Sequence, residues 1–426
     1  MVASSIRGVR ARQIFDSRGR PTVEADVELE DGTTGRAAVP SGASTGKHEV
    51  HELRDGDPQV YAGLGVLQAV RSVQNVIAPA VIGFDARDQE TLDAHLRELD
   101  GTPRLERLGA NAILAVSMAA CRAAAAADEV PLYVHIARLA GVDQPVLPMP
   151  MINILSGGAH ARRGMDVQDF LVIPTGAVGL DQALREVAAV RAAAGRLLSD
   201  EGKSVLLADE GGFSPGYETA WEALELLVRA IETAGLRPGD DVSIAIDVAA
   251  TQLATPQGDY FLRREGRSLS TAGMVEQVLG WVERFPIISI EDGLAEDDWA
   301  GWRTLTARLG GKVQLLGDDL FCTNVARIRQ GIELGVANAV LIKLNQIGTV
   351  SDTLAALGVA RHAGYRTVVS ARSGETEDAF IADLAVGSAA GQIKVGSLSS
   401  SERMAKYNQL VRIQETLGST HFSRGL

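Results

Sequence analysis

Cysteine is nearly absent. The chain holds two, Cys121 and Cys322, far apart and outside any CxxC or Cys/His spacing. A disulfide scaffold and a zinc site are therefore not indicated, and reduced thiols of an ordinary cytoplasm are expected. Positive charge is also short: 41 Lys and Arg stand against 54 Asp and Glu, a formal charge of −13. That argues against a nucleic-acid or anionic-membrane surface. Met1–Arg12 lacks an apolar core, so no secretory leader is expected there. The longest apolar stretch, Leu108–Ala127, carries Asn111, Ser117 and Arg122, and reads as a buried Ala-rich helix, not a membrane span. Lysine is scarce too, with six against 35 arginines. Where basic positions default to Arg, a Lys draws notice, because its amine can lose a proton and act as a base.

With 426 residues, 46% of them apolar, the chain has material for two or three packed domains. The first 40 residues read as strands, Val23–Leu29 alternating between turns at Ser17-Arg18-Gly19 and Asp31-Gly32. Helical patterns follow through Gly65–Val76 and Gln89–Leu99. Pro145–Pro150 reads as a linker, which divides the chain into an N-terminal unit, 1–140, and a second unit, 141–426. In the second unit short apolar runs end in charged residues: Ser204–Glu210, Ser243–Asp247, Ile287–Asp292, Val313–Asp319, Ala339–Asn345, Thr367–Arg372 and Gln392–Gly396. Amphipathic helical patterns fill the intervals, as in Glu218–Gly235. This alternation predicts an α/β fold with a (β/α)8 barrel, a doubly wound open sheet being the alternative. A barrel would gather Glu210, Asp247, Glu291, Asp318, Lys343, Arg372 and Lys394 at the C-terminal ends of its strands.

Two motifs mislead. Gly42–Gly46 with Lys47 falls one residue short of a P-loop and lacks the Ser/Thr after Lys. His48-Glu49-Val50-His51 is one residue short of HExxH, so it reads as a solvated polar segment. Ser41–Gly46 still suits a small loop that closes over a ligand. Singly, Asp247, Glu291 and Asp318 each read as a loop cap or solvated group. Three acids on three successive apolar strands favour a hard-metal site, and all-oxygen ligation suits Mg²⁺. Lys343, in the apolar Leu341–Leu344 setting, would have its pKa lowered by a nearby cation and by burial. A Lys base facing a carboxylic acid across a metal suits removal of a proton α to a carboxylate. Arg372, Ser373 and Lys394 supply donors for a phosphate and a carboxylate.

These residues resemble the enolase family over nearly the whole chain: Asp16–Thr22 (DSRGRPT), Ser41–Gly46 (SGASTG), Leu108–Leu114 (LGANAIL), Asp209–Phe213 (DEGGF), Ser289–Gly293 (SIEDG), Gly317–Leu320 (GDDL), Lys343–Gly348 (KLNQIG), Arg372–Asp378 (RSGETED) and Ala405–Leu410 (AKYNQL). The resemblance implies an N-terminal α+β domain before an enolase-type ββαα(βα)6 barrel, two Mg²⁺ ions, and a homodimer or higher homo-oligomer. It implies Lys343 as base and Glu210 as acid for the leaving hydroxyl, through an enediolate. Asp247, Glu291 and Asp318 would hold the first Mg²⁺, and Ser41 would help bind the second. His160 and Asp169 would stand beside Glu210, Arg372 and Ser373 would take phosphate, and Lys394 the carboxylate.

The chain also departs from the family pattern. Ala371 stands where His is expected, Asp169 for Glu, Ser400 for Arg, and Arg20 for Asn. The metal acids and Lys343 are intact, so the changes gather on the substrate side. The resulting expectation is a specialised homologue forming a phosphono-enolpyruvate, like carboxyphosphonoenolpyruvate synthases, from a phosphorylated carboxylate and a partner such as a nucleotide-activated phosphonate. The alternatives are an ordinary enolase converting 2-phosphoglycerate to phosphoenolpyruvate, and a non-enzymatic binding protein on the same fold.

Overall fold

A computed structural model describes residues 3–42, 46–418 and 421–424. Positions 43–45 of the Ser41–Gly46 loop lie outside the described residues. Strands β1 (Ile6–Phe15), β2 (Pro21–Leu29) and β3 (Thr34–Ala38) form an antiparallel sheet in the order β1-β2-β3. Alternation along β2 puts Val23, Ala25, Val27 and Leu29 fully inside. Helix Ala110–Ala127 covers that face. It is long and apolar enough to cross a membrane, but 83% of it is buried within the protein.

The helix can lie this close because the facing positions are small. A Cβ on Gly35 would stand 2.2 Å from the Ala119 carbonyl oxygen and 2.4 Å from Ala123 N, both fixed backbone. Gly35→Ala should therefore cost at least the 1–3 kcal/mol typical of overpacking, about 2–6 °C in Tm for a chain this size. Thermal unfolding at an unchanged Tm would show that helix and sheet are not held in this contact.

The rest is a closed barrel. Its strands are β4 (Met149–Ser156), β5 (Asp169–Ile173), β6 (Ser243–Asp247), then, past a small hairpin of β7 (Tyr260–Leu262) and β8 (Arg267–Leu269), β9 (Ile287–Glu291), β10 (Gln314–Gly317), β11 (Ala339–Ile342), β12 (Arg366–Ser370) and β13 (Gly391–Gly396). The order is β10-β11-β12-β13-β4-β5-β6-β9, parallel except at β5, which runs antiparallel to both neighbours. Helices Leu180–Asp200 and Ala220–Thr233 follow β5, and single main helices then alternate with the strands. This is the ββαα(βα)6 order, and it excludes the open sheet. Met149, Met151, Leu171, Ile173, Leu316, Leu341 and Val368 pack the interior.

Two sequence expectations fail. Ser204–Glu210 forms no barrel strand: Val205, Leu206 and Leu207 are 43%, 76% and 49% exposed, and Glu210 follows in a turn. The supposed linker Pro145–Pro150 instead runs into β4, which tolerates Pro150 near its start.

Candidate active site

Strand geometry places the site. Asp247 and Glu291 are the last residues of β6 and β9 and lie in register. Asp318 and Lys343 each stand one residue beyond β10 and β11, and Lys394 lies within β13. Asp169 opens β5, whose reversed direction brings its N-terminal end level with Asp247. All of these side chains are buried except Lys343, which is partly buried.

Ammonium groups balance the acids. Lys394 Nζ lies 2.9 Å from Asp247 Oδ2 and 2.7 Å from Glu291 Oε2. Lys343 Nζ donates to Asp318 Oδ2 at 2.5 Å, and Gln346 Nε2 to Asp318 Oδ1 at 2.8 Å. Burial alone would discharge Lys343, but Asp318 outweighs it and raises the pKa. The expected lowering is thus not met while Asp318 faces the amine unshared. Burial, then the charge of Asp247, pushes Glu291 well above the usual carboxylate range. Glu291 Oε1 is buried with no hydrogen-bond partner. An orphaned carboxylate oxygen beside two further acids fits a hard divalent cation, which would satisfy it where an ammonium does not.

Asp292 organises this cluster from behind. Held at φ 42°, it accepts from Asp318 N at 2.9 Å and Asp319 N at 2.8 Å. The carboxylates of Asp292, Asp318 and Asp319 approach within 4.8 Å of one another. Asp247 and Glu291 are not part of that group, and the Lys394 ammonium bridges the two of them.

A second cluster joins His160, Asp169 and Glu210 within the same distance. His160 Nδ1 lies 2.8 Å from Asp169 Oδ2, and Nε2 lies 3.6 Å from Glu210 Oε1. The other oxygen of Asp169 accepts from Asn153 Nδ2 at 2.6 Å and Ser156 Oγ at 2.8 Å. Burial opposes charge on the ring, but Asp169 and then Glu210 overcome it and lift His160 to about 9. His160 is then an imidazolium that donates to Asp169 and faces Glu210. The paired ring stabilises the fold fully below about pH 6.5, and that contribution fades as pH rises through about 9. Histidine NMR should show a midpoint near 9, and one at or below 6.5 would contradict the pairing.

Arg372 follows β12. Its Nη1 donates to Glu49 Oε2 at 3.1 Å and to Asn345 Oδ1 at 2.7 Å. Glu49, read from the sequence as solvated, is buried, and it also accepts from Gly46 N at 2.9 Å. Only an unpaired Arg372 in the site would have called for such a partner, and it lies 323 positions away. Ser41 exchanges backbone hydrogen bonds with Gly374, and its Oγ accepts from Arg54 at 2.8 Å. Ser373 is buried beside Arg372, and its carbonyl accepts from Ser17 Oγ and Arg403. Ala371 is buried and brings no polar group.

Two family models cover the two parts of this arrangement: "Enolase, N-terminal domain" matches residues 6–136, and "Enolase, C-terminal TIM barrel domain" matches residues 144–425. The chain belongs to the enolase family. It is accordingly an enolase-superfamily enzyme. Its enolase barrel carries acidic groups able to hold a metal ion at the end where barrel enzymes keep their chemistry.

Proposed function

We propose that the chain is a Mg²⁺-dependent, lyase-type enolase homologue. It removes the α-proton of a 2-phosphoglycerate-like carboxylate and is specialised to form a phosphono-enolpyruvate, in the manner of carboxyphosphonoenolpyruvate synthases. Lys343 is the base and Glu210 the acid on the opposite side. Lys394 takes the substrate carboxylate, and Arg372 with Ser373 takes its phosphate. Asp247, Glu291 and Asp318 would hold one Mg²⁺, and Ser41 would help to hold a second. Bound there, the metal would supply positive charge to the dianionic enediolate.

The specialised reading rests on Asp169. One of its oxygens is taken by His160 and the other by Asn153 and Ser156. Both oxygens are thus engaged on a side chain one methylene shorter than the family's Glu, while Ala371 offers no imidazole. One observation favours ordinary dehydration instead: His160 still stands 3.6 Å from Glu210, which leaves an acid partner in place.

Metal binding is tested by calorimetry. Asp247→Asn, Glu291→Gln and Asp318→Asn each remove one anionic oxygen ligand, and each should weaken Mg²⁺ binding about tenfold or more with the fold intact. Unchanged affinity in all three would refute the assignment.

A further inference from the structure

The helix Ser401–Leu417 carries Arg403 fully inside the protein. There its guanidinium meets main-chain carbonyls. Nη1 donates to the Arg372 carbonyl at 2.6 Å and to the Val395 carbonyl at 3.1 Å. Nη2 donates to the Ser373 carbonyl at 2.6 Å and to the Asp209 carbonyl at 3.3 Å. Among the described residues one carboxylate forms an ion pair with it, Glu402, whose Oε1 stands 3.5 Å from Nε.

A buried guanidinium is costly to desolvate, and an apolar side chain would fill the same space. What the planar fork adds is several fixed donors on one rigid group. The four carbonyls belong to three segments far apart in the chain. Arg372 and Ser373 carry the proposed phosphate contacts, Val395 follows Lys394, and Asp209 precedes Glu210. Two of these segments also touch each other here, where Ser397 N donates to the Glu210 carbonyl at 2.8 Å. Gly396 lets them close, since a Cβ there would stand 2.8 Å from the Glu210 carbonyl oxygen and 3.0 Å from Arg403 Cδ. Among the described residues Arg403 makes no hydrogen bond to Asp247, Glu291, Asp318 or Lys343, which are placed by the ends of their own strands.

We propose that Arg403 is a positioning residue for the substrate half of the site. It sets the segments carrying Glu210, Arg372, Ser373 and Lys394 against one another, and leaves the metal acids and the base to the barrel strands. The proposal rests on the roles given above to those four residues. A side chain remote from the chemistry then governs how well the carboxylate and phosphate are held, because small misplacements of binding groups are expensive.

The test compares three variants of the full chain. Arg403→Lys keeps a cation without the fork, and Arg403→Gln loses the charge too. Ile413→Ala opens a cavity at a buried position further along the same helix and touches none of the four carbonyls. Calorimetry titrates Mg²⁺ alone, then 2-phospholactate with Mg²⁺ saturating. That probe has the carboxylate and phosphate of 2-phosphoglycerate and no hydroxyl to lose. Both Arg403 variants should bind Mg²⁺ within about twofold of wild type and 2-phospholactate about tenfold or more weakly, Arg403→Lys being the less affected. In C2 exchange of 2-phosphoglycerate, KM should rise by a similar factor while the saturating rate changes little. Ile413→Ala should lower Tm and leave 2-phospholactate affinity unchanged. Unchanged probe affinity in both Arg403 variants, equal weakening in Ile413→Ala, joint loss of Mg²⁺ affinity, or failure of both Arg403 variants to fold would each overturn the proposal. A wild type that does not bind 2-phospholactate would overturn it together with the phosphate and carboxylate roles. A wild type that binds the probe but exchanges no C2 proton would strike the proposed reaction, and the binding comparison would still decide the role of Arg403.

Discussion

Lys343→Ala is expected to abolish exchange of the C2 proton of 2-phosphoglycerate with D₂O, lowering its rate about 10²–10⁴-fold, the range for a positioned general base. The structure sharpens this expectation. Lys343 is partly buried just beyond β11 and faces Asp318, and the other lysine among these acids in the described residues, Lys394, lies between Asp247 and Glu291. In the proposed site Lys394 is given to the substrate carboxylate, so it is not free to take over the proton. Glu210→Gln is the internal comparison. Its side chain faces His160, so exchange should survive in Glu210→Gln far better than overall turnover does. Circular dichroism and Mg²⁺ titration separate loss of chemistry from loss of fold. Full exchange in Lys343→Ala would move the base elsewhere.

The double change Ala371→His with Asp169→Glu is expected to raise phosphoenolpyruvate formation from 2-phosphoglycerate by about 10²-fold or more. Each substitution restores one charge-assisted contact, about 1.5–3 kcal/mol or roughly one to two decades of rate. Asp169 binds Asn153, Ser156 and His160 through its short side chain, so a Glu reaches one methylene further toward Glu210 from the same place on β5. The gain should exceed that of either single change, because both act on the same departing group. Any reaction served by the native pocket should decline. No gain in dehydration would mean that these two positions do not separate the chain from an ordinary enolase.

How far the site could be read beforehand depended on where each residue sits. Asp247, Glu291, Asp318 and Lys343 were legible because each ends a buried strand, where an apolar run gives way to one charge. Glu210 reads both as a strand end and through DEGGF, and only the motif places it correctly, in a turn. Val205–Leu207 is apolar but exposed, and periodicity in a run that short cannot separate a buried strand from a surface loop. β4 was hidden by its prolines, and β5 because it opens on its acid, Asp169, where β6 and β9 end on theirs. The charge balance was not legible at all. Lys394 pairs with Asp247 across 147 positions, and Arg372 meets Glu49 inside a segment that reads as ordinary polar surface. Such pairs follow from barrel closure and from the N-terminal segment lying across its mouth. Local pattern carries neither.

The central claim is that proton abstraction is intact while dehydration has been given up. One NMR experiment on the wild-type chain measures both: incubation with 2-phosphoglycerate and saturating Mg²⁺ in D₂O, following C2 deuteration and phosphoenolpyruvate together. The account predicts deuterium entering C2 at least about 10²-fold faster than phosphoenolpyruvate forms. Phosphoenolpyruvate appearing at tens per second, as fast as exchange, would contradict it and make the chain an ordinary enolase.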